Sequence, residues 1–94
     1  MPKRLSEVCE CKRTVIVGDR LTESWVQVAV SDVHDVPNGF LRCALCHGEV
    51  QKHLKRKPMG TVDHVEHRVR EDSAHCRAGH YFEDTHRLSN FPVL

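Results

Sequence analysis

Cys43-Ala44-Leu45-Cys46-His47-Gly48, followed by His64-Val65-Glu66-His67 and then Cys76, is the stretch that decides how this chain folds. Thiol sulfur and imidazole nitrogen recur here at spacings that can close around one ion. Zinc takes four such ligands in a tetrahedron, and Cys-x-x-Cys is a common half-site. Seventeen residues separate Cys46 from His64, twenty separate it from His67, and eight separate His67 from Cys76. Either of the longer gaps lets a hairpin leave the knuckle and return to it. The candidate ligands are therefore Cys43, Cys46 and Cys76, completed by His64, His67 or both. Residues i and i+3 point oppositely on a strand but share a face on a helix, so local conformation decides between the histidines.

Three thiolates and one neutral imidazole fill four positions and leave none for water, which marks a structural site for Zn2+. Such a site carries one negative charge, which nearby Lys52 or Arg77 would balance. Gly48, just after the second cysteine, is expected to supply the freedom for a sharp turn in which backbone N–H groups point at sulfur. His80 competes as fourth ligand, because Cys76 and His80 are i and i+4 on a continuous helix. That helix is expected from Ala74, with Ala74, Ala78, Tyr81, Phe82, Thr85 and Leu88 on one face and Gly79 as its weak point. Cys76 and His80 fall on the opposite face, away from the core, so His80 is the weaker choice.

Size and composition agree with a metal-held fold. The chain of 94 residues has room for one domain, residues 1–94, with residues 1–11 and 89–94 expected as flexible tails. Val, Leu, Ile and Phe make up about a quarter of the residues, and the mean hydropathy is −0.48. This is a thin core, and small domains commonly supplement one with a metal. A formal net charge of +1 gives no overall field for polyanions. No signal-peptide pattern opens the chain, and Trp25 to Ser31 is far too short to span a bilayer. Five cysteines, an odd number, then imply reduced thiols and a cytoplasmic location, with no membrane partner.

Upstream, Thr14-Val15-Ile16-Val17 and Trp25 to Val30 flank a Gly18-Asp19 connection and read as antiparallel strands, with Trp25 anchoring the core. Pro37-Asn38-Gly39 is a turn, and Phe40-Leu41-Arg42 is a strand that delivers Cys43. Val50 opens a returning strand. Cys9-Glu10-Cys11 places two thiols on one side of a strand, where they read as reduced cysteines rather than ligands. The fold class is thus α+β: antiparallel β-hairpins, a Cys-x-x-Cys knuckle and one C-terminal helix, in a treble-clef-like order. Lys52, Lys55, Arg56 and Lys57, around His53, form the only concentrated basic run, a candidate phosphate contact unless it is simply a solvated loop.

The run Cys43-x-x-Cys46, His53, His64-Val65-Glu66-His67 and Cys76 resembles the zinc-finger segment of bacterial competence protein CoiA-like families. Those chains pair a cysteine knuckle with a later His-Phe-x-His, where Val65 stands here in place of Phe. The resemblance covers about a third of the chain and implies a zinc-binding accessory module linked to nucleic-acid handling. A larger nuclease-like domain follows in those families, and these 94 residues have no space for one. Val62-Asp63-His64-Val65 is also similar to the Asp-His strand of HNH endonucleases, which implies His64 as general base and Cys43, Cys46, Cys76 and His80 as zinc ligands. The Asn those enzymes place after Asp-His has no counterpart between residues 65 and 89. A binding module for nucleic acid or protein, without turnover, is therefore the expected function, with the metal-dependent nuclease as its rival.

Overall fold

A computed structural model describes residues 5–54, 62–83 and 85–94. Its longest feature is a hairpin of β1 (Val8–Val17) and β2 (Arg20–Ala29), paired antiparallel from Val8↔Ala29 to Val17↔Arg20. The β-branched residues of both strands suit the pleated surface. Gly18, at φ 61, takes the first central position of the two-residue loop, where a left-handed conformation matches the strand twist. β3 (Leu41–Arg42) pairs with the other side of β1, giving the sheet order β2-β1-β3. A second sheet holds β4 (Val50–His53) and β5 (His64–His67), antiparallel, with Val50 opposite His67 and His53 opposite His64. A five-residue helix, α1 (Arg70–Ala74), comes after it. The chain is therefore a small α+β fold of antiparallel strands with one helix among the described residues.

Alternation along β1 turns Cys9 and Cys11 inward, and both are buried. They are core side chains, as small hydrophobic residues often are. Together with Val30, Val33, Leu41, Val50 and Val65 they form one cluster with Cys43, Cys46 and Cys76. Among the described residues, half of the ten buried apolar side chains are cysteines, so this interior has few branched aliphatic or aromatic anchors.

Four expectations need correction. Residues 8–11 are strand, not tail, because Cys9 and Cys11 supply the inner face of β1; residues 1–4 lie outside the described residues. The segment 89–94 is tied down: Ser89 N–H donates to the Cys46 carbonyl and Val93 N–H to that of His47, both at 2.8 Å. Trp25 sits half-buried beneath Arg42, whose guanidinium carbon lies 4.2 Å from the ring centroid. Arg42 also reaches Glu10 at 2.7 Å and the Val93 carbonyl at 2.8 Å, so Trp25 braces a polar junction rather than the core.

The fourth correction concerns the helix. It ends at Ala74, and the apolar spacing from 74 to 88 does not continue it. Gly79 packs directly against the Ser73 backbone, where a Cβ would collide, and its N–H bonds the Cys76 carbonyl at 2.8 Å. Glu83 N–H then bonds the Ala74 carbonyl at 2.9 Å and Arg87 N–H that of His75 at 2.8 Å. A chain that must double back on α1 cannot also be helical there. Gly79→Ala should consequently lower stability by about 1–3 kcal/mol, as overpacking does, and a thermal melt of the variant beside the parent protein measures it.

Candidate metal centre

Each half of the site is built by local backbone geometry. Cys43 leaves β3, and its N–H donates to the Gly48 carbonyl at 3.0 Å while its carbonyl accepts from His47 N–H at 3.0 Å. These two bonds close the knuckle. Leu45 N–H points at Cys43 Sγ and Gly48 N–H at Cys46 Sγ, both at 3.4 Å. Such N–H donors favour thiolate over thiol. The left-handed residue is His47, at φ 64, rather than Gly48 as the sequence pattern implies. Gly48 is needed for space instead: a Cβ there would stand 2.5 Å from Asp72 Oδ2 and 3.3 Å from Cys46 Sγ.

The remaining ligands come from the second sheet and the turn after α1. His67 closes β5, with Val65 and His67 on the strand face opposite His64 and Glu66. Cys76 is fully buried in the turn that Gly79 shapes. Cys43 Sγ, Cys46 Sγ, Cys76 Sγ and one ring nitrogen of His67 all lie within 4.8 Å of one another. Cys43 and Cys76 sulfurs are 3.6 Å apart, and Cys46 Sγ is 3.4 Å from His67 Nε2. A tetrahedron with metal–sulfur bonds of about 2.3 Å and metal–nitrogen bonds of about 2.0 Å has edges of about 3.8 and 3.5 Å. These two separations are close to those edges, and the remaining ones are within 4.8 Å, so the cluster is compatible with one ion held by all four groups.

Electrostatics point the same way. Burial opposes a charged His67 ring, yet hydrogen bonds to the Cys43 and Cys76 sulfurs and their negative charge outweigh it and raise its pKa to about 9. Hydrogen bonds from Cys46 and Cys76 pull the Cys43 thiol far below its ordinary value, while Cys46, as the donating partner, is pushed up. The four groups compete for protons at one point in space, an arrangement compatible with a divalent cation in the protons' place. Cys9 stands apart: burial, then the charge of Cys11 and Cys43, push its thiol up to about 11. Neither Cys9 nor Cys11 belongs to the quartet.

Of the expected ligands, the structure thus gathers Cys43, Cys46, His67 and Cys76 and turns His64 away. His80 is also outside, exposed and edge-on to Tyr81 at 4.9 Å, because the helix that would have aligned it with Cys76 has ended. Lys52 does not balance the site. Its ammonium donates to the Val33 and His34 carbonyls at 2.9 Å and to that of Val36. Lys55, Arg56 and Lys57 lie outside the described residues. Glu66 was not a candidate from sequence, although strand alternation alone pairs it with His64; it forms a second cluster with His53 and His64.

A protein-family model matches residues 2–94. The chain belongs to that family, an uncharacterised one. No curated protein and no solved structure matches it. No helix among the described residues is long and apolar enough to cross a membrane.

Cys46→Ser or His67→Ala should lose the bound metal and most of the ordered structure, whereas His64→Ala should keep both; metal-to-protein ratio and circular dichroism read the difference. All five cysteines are buried and unpaired. Iodoacetamide at neutral pH should accordingly label none in the folded chain and all five after chelation in denaturant, as counted by intact mass.

Proposed function

We propose that this chain is a zinc-stabilised interaction module whose Cys43–Cys46–His67–Cys76 site is structural. The observation that carries the reading is the gathering of three sulfurs and one imidazole nitrogen within 4.8 Å of one another, a donor set that fills a tetrahedron and leaves no place for substrate or water. Zinc is the ion of choice for three thiolates and an imidazole, being borderline-soft and content with tetrahedral geometry. A structural zinc contributes about 10–16 kcal/mol of apparent binding free energy, as much as the whole stability of a typical domain. With a core this poor in large side chains, metal binding and folding are one event. The order of knuckle, hairpin and helix supports a treble-clef-like description, although His67 and Cys76 flank α1 instead of occupying its first turn. A reducing, cytoplasmic setting suits five unpaired thiols.

The partner we favour is a protein. Ile16 and Leu21 face each other across the β1–β2 hairpin at 75% and 74% exposure, an apolar pair held away from the core. The nucleic-acid role implied by the CoiA-like resemblance rests on Lys55, Arg56 and Lys57, now that the Lys52 ammonium is engaged within the fold. The HNH-like nuclease alternative, with His64 as base, is disfavoured because His80 is not among the gathered ligands and His64 Nε2 faces Glu66 at 3.1 Å.

Native mass spectrometry should show one zinc per chain that resists a weak competitor. Stripping it with a strong chelator should abolish the circular dichroism signal of folded structure, and re-addition should restore it. A chain that stays fully folded without metal would sink this reading. Labelled oligonucleotide should bind weakly. Salt-sensitive binding lost on joint replacement of Lys55, Arg56 and Lys57 by Glu would assign the nucleic-acid partner instead.

A further inference from the structure

Behind the closed site, on the outer face of the same hairpin, stands a second group of ligands. The register sets His53 of β4 directly opposite His64 of β5, and strand alternation adds Glu66 beside His64. One ligand atom from each lies within 4.8 Å of the other two. Glu66 Oε2 is 3.1 Å from His64 Nε2 and 3.3 Å from His53 Nε2. Around a single ion with bonds of about 2.0–2.2 Å, neighbouring ligand atoms stand about 2.8–3.6 Å apart. The two imidazoles stack, with centroids 5.2 Å apart and planes 13° from parallel, so both rings address the same carboxylate oxygen from one side.

The orientation of His64 carries the inference further. Its Nδ1 lies 2.8 Å from the Val62 carbonyl oxygen, which can only accept, so the ring hydrogen sits on Nδ1. The other ring nitrogen, Nε2, faces the Glu66 carboxylate, whose oxygens offer only lone pairs. A contact of this kind is bridged by a proton on Nε2 or by a cation that both groups ligate, and His53 at the same carboxylate oxygen supplies a third ligand for the latter. A backbone carbonyl that holds one ring nitrogen while the other faces a metal is the arrangement that commonly orients ligating histidines.

We propose that His53, His64 and Glu66 form a second, solvent-open site for a divalent first-row transition ion. Two imidazoles and one carboxylate leave coordination positions unfilled, in contrast to the closed thiolate site. Beside them lies a groove of about 470 Å³, lined by Ser6, Glu7, Val62, His80 and Tyr81 as well as His64 and Glu66. The unfilled positions take water or an oxygen-donor ligand entering from that groove. Residues of β5 serve both sites in alternation, so the buried ion that fixes His67 also fixes the strand from which His64 and Glu66 project. No thiolate takes part, which makes the outer ion exchangeable where the inner one is not.

Isothermal titration of chain already carrying one counted zinc, with Ni2+ and separately with Zn2+, tests this. One further equivalent per chain is expected. His53→Ala and Glu66→Gln should each weaken it at least tenfold while leaving the first zinc and the melting temperature in place, and His34→Ala should leave it unchanged. Should His53→Ala lower the melt, Glu66→Gln, which keeps the shape and removes the charge, decides alone. No second equivalent, or one of undiminished affinity in Glu66→Gln, would overturn the proposal and leave an imidazolium–carboxylate pair only. Because the first zinc is counted before titration begins, failure of the closed site and failure of the outer site are read separately.

Discussion

The meeting of Cys43, Cys46, His67 and Cys76 at one point is the constraint on which the rest of the fold depends. The ligands belong to three different local structures: the knuckle after β3, the end of β5, and the turn after α1. Besides this cluster, the apolar contacts of Val30, Val33, Leu41, Val50 and Val65 and the Lys52 bonds to the Val33–Val36 loop tie the pieces together. β4 and β5 form a sheet separate from β1–β3, joined to it across the knuckle by the Arg42↔Glu49 bridge, while Arg68 N–H on the Glu49 carbonyl at 3.1 Å extends the β4–β5 pairing. A five-residue helix is too short to be stable by itself. Its position is set by the residues C-terminal to it: Cys76 in the quartet, Gly79 against Ser73, and the backbone bonds that lay residues 89 and 93 over the knuckle. The entropy lost in ordering these segments is thus offset by contacts that converge on this cluster and the apolar residues packed around it.

Charge at that centre is managed by the backbone. A divalent ion held by three thiolates and one imidazole would leave one negative charge, and neither side chain expected to balance it is placed to do so. Lys52 gathers the carbonyls of the loop from Val33 to Val36, and Arg77 is exposed. The N–H groups of Leu45 and Gly48 are the donors aimed at sulfur. Preorganised dipoles cost less desolvation than a buried ammonium would, and they are delivered automatically by the turn that positions the cysteines.

How much of this was legible in the sequence depends on the range of the interaction. The β1–β2 hairpin and the turn at Pro37-Asn38-Gly39 are local, and their β-branched runs and Gly-Asp and Asn-Gly dipeptides name them directly. Cys43, Cys46 and Cys76 were legible as candidates for one cluster because Cys-x-x-Cys and a later cysteine can converge through a returning hairpin, whereas Cys9 and Cys11 are used as core side chains. The choice of His67 over His64 was not, because it required knowing that residues 64–67 are strand. The C-terminal helix was misread for a related reason. Ala74, Ala78, Tyr81 and Leu88 keep a helical spacing, but Gly79 and the long-range bonds to Ala74, His75, Cys46 and His47 outweigh that local preference. The tail at 89–94 was misread because its partners are carbonyls of the knuckle, which no pattern of side chains announces.

Strand period explains why one four-residue stretch serves two kinds of chemistry. In β5, positions 65 and 67 face the core and positions 64 and 66 face out, so His-Val-Glu-His sorts itself into an apolar residue and a member of the Cys/His cluster on one side and two polar side chains on the other. The inner side meets sulfur, is dry, and closes. The outer side meets His53 across the sheet, is wet, and stays open to the groove. A helix would have set both histidines on a single face and merged the two sets of ligands. Because a shift of one residue in the β4–β5 register would exchange the faces, Val50, opposite His67 and 1% exposed, is as important to both clusters as any ligand.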